Sequence, residues 1–279
     1  MDSMHRLVFN ARKNGSELEL LAELRLKYRF DNISAYPNAS DALGLVSVEL
    51  SESNPVWPIV FKASRGWNAI EQITTKFTQS EFRNASHLNV VSSWHYSYPM
   101  PDDDSGYLAI TYDANSGCSK CGIGLQQKSP FRMKGEPKWG RNQILQLNWV
   151  FDEFFVTPEA YESVFKPFGI ESREVINHKS ERPLESILQL ATDSLPNVPL
   201  VIDRPVDEYC SQCGQGKFNM HNKGFFPKLE RKTNGNIVRS CEFFGSGGSA
   251  WRALIVSDKV YQAISAFNLK GIRFVPLAR

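Results

Sequence analysis

Two copies of one short motif constrain this chain more than any other feature. Cys118-Ser119-Lys120-Cys121-Gly122-Ile123-Gly124 and Cys210-Ser211-Gln212-Cys213-Gly214-Gln215-Gly216 share the form C-x-x-C-G-x-G, with each cysteine 92 residues before its counterpart. A C-x-x-C turn presents two sulfurs together, and the glycine after the second cysteine admits a positive φ that aims backbone N–H groups at them. Two such turns supply four thiolates, the set that zinc takes tetrahedrally at about 2.3 Å. The expectation is one structural zinc ion on Cys118, Cys121, Cys210 and Cys213, closed to substrate because every coordination position is filled. The interval between the knuckles is long for a compact zinc ribbon. Free or degenerate knuckles, redox chemistry and an iron–sulfur cluster on the same ligands therefore stay open. A thioredoxin-type site would want one C-x-x-C opening a helix, which Gly122 and Gly214 disfavour. His221, shortly after Cys213, is a substitute ligand on spacing alone. The fifth cysteine, Cys241, reads as a buried, inert thiol on a strand.

The similarity extends beyond the knuckles. Upstream, Leu108-Ala109-Ile110 matches Leu200-Val201-Ile202 at the same offset, each an apolar run suited to a strand. Downstream, Phe154 to Tyr161 matches Leu254 to Tyr261 at a wider offset, so the second connection is the longer. Both downstream segments read as strand, cap, helix, strand. Thr157 and Ser257 stand at N-cap positions, and Pro158 stands where a first helical residue has no use for its N–H. Val260, Tyr261, Ile264 and Phe267 follow helical spacing, and Ile272 to Val275 alternates like a strand. The first copy runs through Tyr161, Val164 and Phe165 to Gly169 and a strand near Glu174-Val175-Ile176. Duplication accounts for this order better than coincidence does.

The N-terminal part, residues 1–105, has no such symmetry. Ser16 to Leu26 is helix-compatible, although its apolar density also suits a strand in part. Leu45 to Leu50 and Trp57 to Phe61 read as strands, and Asn68 to Phe77 and Ser80 to Ala85 as helices. Pro99-Met100-Pro101-Asp102-Asp103-Asp104-Ser105-Gly106 is turn chemistry and marks the expected domain boundary. The expected organisation is an N-terminal α+β region over 1–105 and a duplicated zinc-knuckle domain over 106–279, with copies at about 106–178 and 198–279. The fold class is α+β.

Composition excludes little but supports the cysteine reading. The 279-residue chain is 42% hydrophobic and 22% charged, ordinary for a globular protein, with five cysteines and a formal net charge of +2. It has no apolar run of about 18 residues, so no membrane-spanning helix is expected. Its first residues lack the apolar core of a secretory signal. A cytoplasmic location follows as an expectation, and a reducing compartment favours metal over disulfides.

Other motifs read blandly. Asp102, Asp103 and Asp104 form an acidic loop without the ligand spacing of a calcium site. Phe244-Gly245-Ser246-Gly247-Gly248-Ser249 lacks the G-K-[ST] ending of a phosphate loop and reads as a flexible or backbone-exposed loop. Hydrolase, zincin and deaminase signatures are absent, and the five histidines have no partner spaced around them. Trp139, Trp149, Phe151, Phe154 and Phe155, with Asp152 and Glu153 among them, read mainly as core; the sharper reading is an aromatic, acidic protein-binding face.

The two Cys-x-x-Cys-Gly motifs resemble those of the bacterial double-CXXCG-motif proteins, some of which are regarded as immunity proteins of contact-dependent swarming inhibition. The ending Leu254-Ile255-Val256-Ser257, a helix, then Gly271-Ile272-Arg273-Phe274-Val275-Pro276-Leu277, is similar to that of several polymorphic-toxin immunity families. The resemblance covers about residues 108–279. It implies a cytoplasmic, non-enzymatic protein that binds and neutralises a toxin, with the four cysteines as metal ligands. Two alternatives stand beside it. One is a zinc-ribbon nucleic-acid-binding protein using Lys128, Arg132, Lys134, Lys138 and Arg141. The other is an enzyme with an unrecognised site between the two parts.

Overall fold

The structure, a computed structural model, describes residues 1–12, 15–29, 33–36 and 43–279. The chain forms two compact units: residues 1–82 with 221–224, and residues 83–220 with 225–279. The stretch expected to separate two domains, 99–106, falls inside the second unit.

The first unit is built on β1 (Asp2–Arg12), whose side chains alternate strictly. His5, Leu7, Phe9 and Ala11 are buried while Arg6, Asn10 and Arg12 are exposed, the period-2 signature of a sheet with one covered face. After it come α1 (Ser16–Tyr28), β2 (Ile33–Tyr36), β3 (Leu43–Ser51), α2 (Trp57–Ser64), β4 (Ile70–Lys76) and α3 (Gln79–Arg83). The sheet runs β2-β3-β1-β4, antiparallel throughout. Leu7, Phe9, Val46, Val48 and Leu50 pack with Leu21 and Leu24 of α1 and Trp57 and Val60 of α2.

The helical reading of Ser16 to Leu26 and the strand at Leu45 to Leu50 agree with α1 and β3. Two other expectations are reversed. Trp57 to Phe61 is helical: Pro58 occupies the first turn, and Trp57, Val60 and Ser64 are buried at helical spacing. Asn68 to Phe77 contains strand β4, in which Ile70, Ile73, Thr74 and Thr75 are β-branched and suit a sheet edge along β1. The helix read at Ser80 to Ala85 is α3. Its start is a capping box, with the Glu81 N–H donating to Thr78 Oγ1 and the Thr78 N–H donating to Glu81 Oε2 at 2.7 Å.

The second unit opens with β5 (His87–Ser92) and α4 (Tyr107–Thr111), then the short ladder of β6 (Tyr112–Asp113) and β7 (Gln126–Gln127). Next come β8 (Arg132–Met133), β9 (Ile144–Leu145), β10 (Phe155–Val156), α5 (Pro158–Ala160), β11 (Ser172–Asn177), β12 (Pro183–Leu190) and β13 (Asn197–Val198). A second short ladder pairs β14 (Glu208–Tyr209) with β15 (Gly216–Lys217). The chain closes with β16 (Ile237–Phe244), β17 (Trp251–Ser257), α6 (Asp258–Ala266) and β18 (Ile272–Pro276).

Two five-stranded sheets result, ordered β8-β11-β12-β10-β9 and β13-β16-β17-β5-β18. Each expected strand–helix–strand segment is present, but its two strands are not neighbours. β12 lies between β10 and β11, antiparallel to both. Likewise β5 lies between β17 and β18, antiparallel to both. Thr157 caps as expected, its Oγ1 accepting from the Ala160 N–H at 3.2 Å. Ser257 makes no side-chain cap bond; its hydroxyl lies 3.3 Å from Asn236 Oδ1 instead.

The strands read upstream of the knuckles are absent. Leu108 to Ile110 sits in α4, where Tyr107 and Thr111, four residues apart, are the buried positions and Leu108 is exposed. Leu200 to Ile202 forms only one bridge, Leu200 to Leu229. The Leu200 N–H turns to the Glu242 carboxylate at 3.1 Å rather than to a strand. Cys241 is on a strand but exposed. The register of β16 against β17 shifts between Arg239 and Phe243, and such an irregularity re-aims side chains.

Candidate metal centre and adjoining cavity

The two C-x-x-C turns fold alike. In the first, the Gly122 N–H donates to the Cys118 carbonyl at 2.8 Å and the Cys118 N–H to the Ile123 carbonyl at 2.9 Å. The second has the same bonds at the corresponding residues: Gly214 to Cys210 at 2.8 Å and Cys210 to Gln215 at 2.9 Å. Gly122 and Gly214 take φ of 76° and 71°, the left-handed region in which a Cβ would be strained. Short ladders, β6–β7 and β14–β15, carry the two turns.

These turns face each other through their sulfurs. Cys118 Sγ lies 3.8 Å from Cys210 Sγ, and Cys121 Sγ lies 3.6 Å from Cys213 Sγ. All four sulfurs lie within 4.8 Å of one another. A disulfide would need about 2.05 Å. Four sulfurs at about 2.3 Å from one tetrahedral ion stand ~3.8 Å apart, so the cluster has the size of a single-ion site. It can hold a metal ion, and neither His221 nor the Asp102–Asp104 loop belongs to it.

Electrostatics point the same way. N–H donors from Cys213 and then Gln212 lower the Cys210 thiol to about 6, while burial pushes Cys121 up to about 12. A buried thiol of the second kind ionises only beside a compensating cation. Ile123, Phe243 and Ala250 pack against the cysteines and exclude water from one side.

The glycine-rich loop after β16 is held in place. Lys217, fully buried on β15, donates from Nζ to the Gly247 carbonyl at 2.6 Å and the Ser249 carbonyl at 3.3 Å. Glu208 stands 3.5 Å from the same ammonium and accepts from the Gly247 N–H at 3.0 Å. The loop read as flexible is therefore anchored by a charge-assisted clamp from the second knuckle's own ladder.

Beside the first knuckle lies a cavity of about 640 Å³. Ser119, Gly122 and Gly124 form part of one wall and Gly248, Ser249 and Ala250 part of another. Trp149, Phe151, Asp152 and Glu153 line it too, whereas Phe154 and Phe155 turn into the core. Trp139 packs on a core cluster and donates to the Ser186 carbonyl at 3.0 Å. The aromatic–acidic stretch is thus divided between core and cavity.

Sequence reading missed most of the polar residues here. Glu153 is buried and accepts from Gln189 Nε2 at 3.0 Å and Thr192 Oγ1 at 3.2 Å. Burial, then the adjacent Asp152 charge, raises its carboxyl to about 8. Asp152 is raised as well by burial, against the pull of Arg239 3.4 Å away. Asp193 takes both its bonds from Arg173 Nη2 at 2.8 Å. Burial drives the Tyr107 hydroxyl up to about 12 and holds Tyr112 well above its ordinary value. The adjacent carboxylates were the one local signal available; Arg239, Arg252 and Arg173 come from distant strands.

Of the basic residues singled out in the sequence, Arg132 is paired with Glu181 at 2.8 Å and Lys134 with Asp102 at 2.9 Å. Lys128, Lys138 and Arg141 are exposed. Among the described residues, no helix is long and apolar enough to cross a membrane. No protein-family model, curated protein or solved structure matches the chain.

Proposed function

We propose that Cys118, Cys121, Cys210 and Cys213 hold one structural zinc ion and that the chain is a non-enzymatic, zinc-stabilised binding protein. The four-sulfur cluster at single-ion spacing carries this reading. A tetrahedral zinc with four protein ligands has no position left for substrate, so its work is to tie two distant segments together. The same spacing favours one ion over a cluster of several irons, whose metals would each need their own thiolates. The matching hydrogen bonds in the two turns, and the shared arrangement of two strands around a third, support a duplicated unit.

The partner is a protein, and neutralisation of a cognate bacterial toxin in the cytoplasm is the form that the double-CXXCG resemblance implies. Native mass spectrometry with thiol titration tests the metal. One zinc per chain, with four thiols protected until chelation, is expected; five freely reactive thiols and no metal would refute it. Growth rescue tests the role. If a toxin gene lies immediately upstream, cells expressing that toxin should survive with the wild type and die with Cys121→Ser, and death in both would remove the immunity reading.

A further inference from the structure

The cavity beside the first knuckle has a charge arrangement that nothing in the metal-site reading uses. Its carboxylates are already answered. Asp152 faces Arg239, Asp193 is held by Arg173, and Glu153, raised to about 8, keeps its proton at neutral pH while bonded to Gln189 and Thr192. Arg252 is different. Its guanidinium lies on the Phe243 ring at 4.6 Å and donates from Nη1 to Asn197 Oδ1 at 3.2 Å. Its Nε is buried with no acceptor, and among the described residues the Asp152 charge acts on it only from beyond ion-pair distance. A buried donor without an acceptor is costly and is normally satisfied by protein, water or ligand.

The remaining walls supply apolar surface: Tyr107, Tyr112, Trp149 and Phe151 all line the space. A volume of about 640 Å³ lies within the roughly 300–1,000 Å³ of small-molecule sites. One guanidinium without a direct ion pair, a neutral hydrogen-bonding floor and aromatic sides together specify a ligand with one negative end and a flat, apolar body.

We propose that this cavity is a binding site for a small organic carboxylate with an aromatic body, its carboxylate paired with Arg252 and its ring laid along the Tyr107–Trp149 wall. The site goes beyond the partner-binding role and does not depend on it. Carboxylate–guanidinium pairing is charge-assisted and strongest where water is excluded, and Arg252 lines the cavity. Glu153 in its protonated form adds no repulsion. When it ionises above about pH 8, it becomes a second negative charge in the cavity and weakens the same ligand.

Calorimetry on the intact, metal-loaded protein at pH 6.5 tests this with benzoate, 3-phenylpropionate and indole-3-acetate, each against its carboxamide. At least one acid should bind saturably, and its amide should bind about ten-fold or more weakly, the scale of one charge-assisted pair. Arg252→Gln should remove that preference, and Arg252→Lys should restore part of it. Leu108→Trp, at a cavity-lining position 38% exposed, should block the acid without lowering Tm. Three results would each overturn the proposal: no acid binding at millimolar concentration, equal affinity of acid and amide, or undiminished binding in a folded Leu108→Trp variant. The acid–amide comparison uses wild-type protein, so it stands even if Arg252→Gln fails to fold.

Discussion

The two knuckles have the same backbone and different surroundings. Cys118 and Cys121 of the first are buried, while Cys213 of the second is exposed. A Cβ on Gly122 would come within 2.9 Å of the Gly248 carbonyl oxygen, whereas one on Gly214 would meet nothing within 4 Å. The first knuckle is pressed against the glycine-rich loop and lines the cavity; the second reaches that loop through Lys217 and Glu208 of its ladder. One motif thus performs two tasks. The turn geometry serves the sulfurs in both copies, and the outer face of the turn is put to use in only one.

Ligand loss should produce the largest effects and the first test of this contrast. Cys121→Ser and Cys213→Ser should each lower metal content from one ion to none by native mass spectrometry. Structural zinc contributes on the order of 10 kcal/mol in small zinc peptides, so both variants should lose the cooperative melt of the second unit. Cys121→Ser, which leaves a polar group in the buried knuckle, should be the worse. Equal metal content in variant and wild type would break the shared-site account.

Lys217→Met comes next, because it strips a buried ammonium from two carbonyls and Glu208. A loss of about 2–4 kcal/mol in urea unfolding is expected, together with faster amide exchange at 246–249. An unchanged exchange rate there would show that the loop is held by something other than the clamp.

The glycines give the most direct comparison. Gly214→Ala should cost ~1–2 kcal/mol for left-handed strain alone. Gly122→Ala carries the same strain plus the clash, and should cost at least about 1 kcal/mol more. Equal losses would mean that the packing of the first knuckle is unimportant.

The pH dependence of stability separates the cavity from the metal. Glu153 ordinarily titrates at 4.5 and is raised to about 8 by burial. The folded state therefore binds more protons than the unfolded state between those values, and stability falls as pH rises through that window. Glu153→Gln should flatten that fall, seen in Tm measured from pH 5 to 8 with metal present. The smallest effect belongs to Cys241→Ser, exposed on β16, at under about 0.5 kcal/mol with full metal content.

Local chemistry was legible wherever a residue's role depends on its near neighbours in the chain. The C-x-x-C-G turns, the Thr157 cap, helix α6 and the existence of strand β18 follow from short-range sterics and hydrogen bonding. Where tertiary partners compete, the same kind of reading fails. Ile70 to Lys76 is a strand because β1 offers an edge to pair with, and Leu200, just past the end of β13, turns its N–H to the Glu242 carboxylate brought up from β16. The separation of β10 from β11 by β12, and of β17 from β18 by β5, leaves no trace in any local pattern.

By itself, the sequence determined that four cysteines sit in two like turns, because a C-x-x-C-G segment closes through bonds among its own few residues. Only the tertiary structure decided that those turns meet sulfur to sulfur, that Lys217 is buried against a glycine-rich loop, and that Arg252 has no carboxylate within ion-pair distance among the described residues. Each of these depends on segments separated by long stretches of chain. Their meeting is set by the folding of the second unit as a whole and by no single motif.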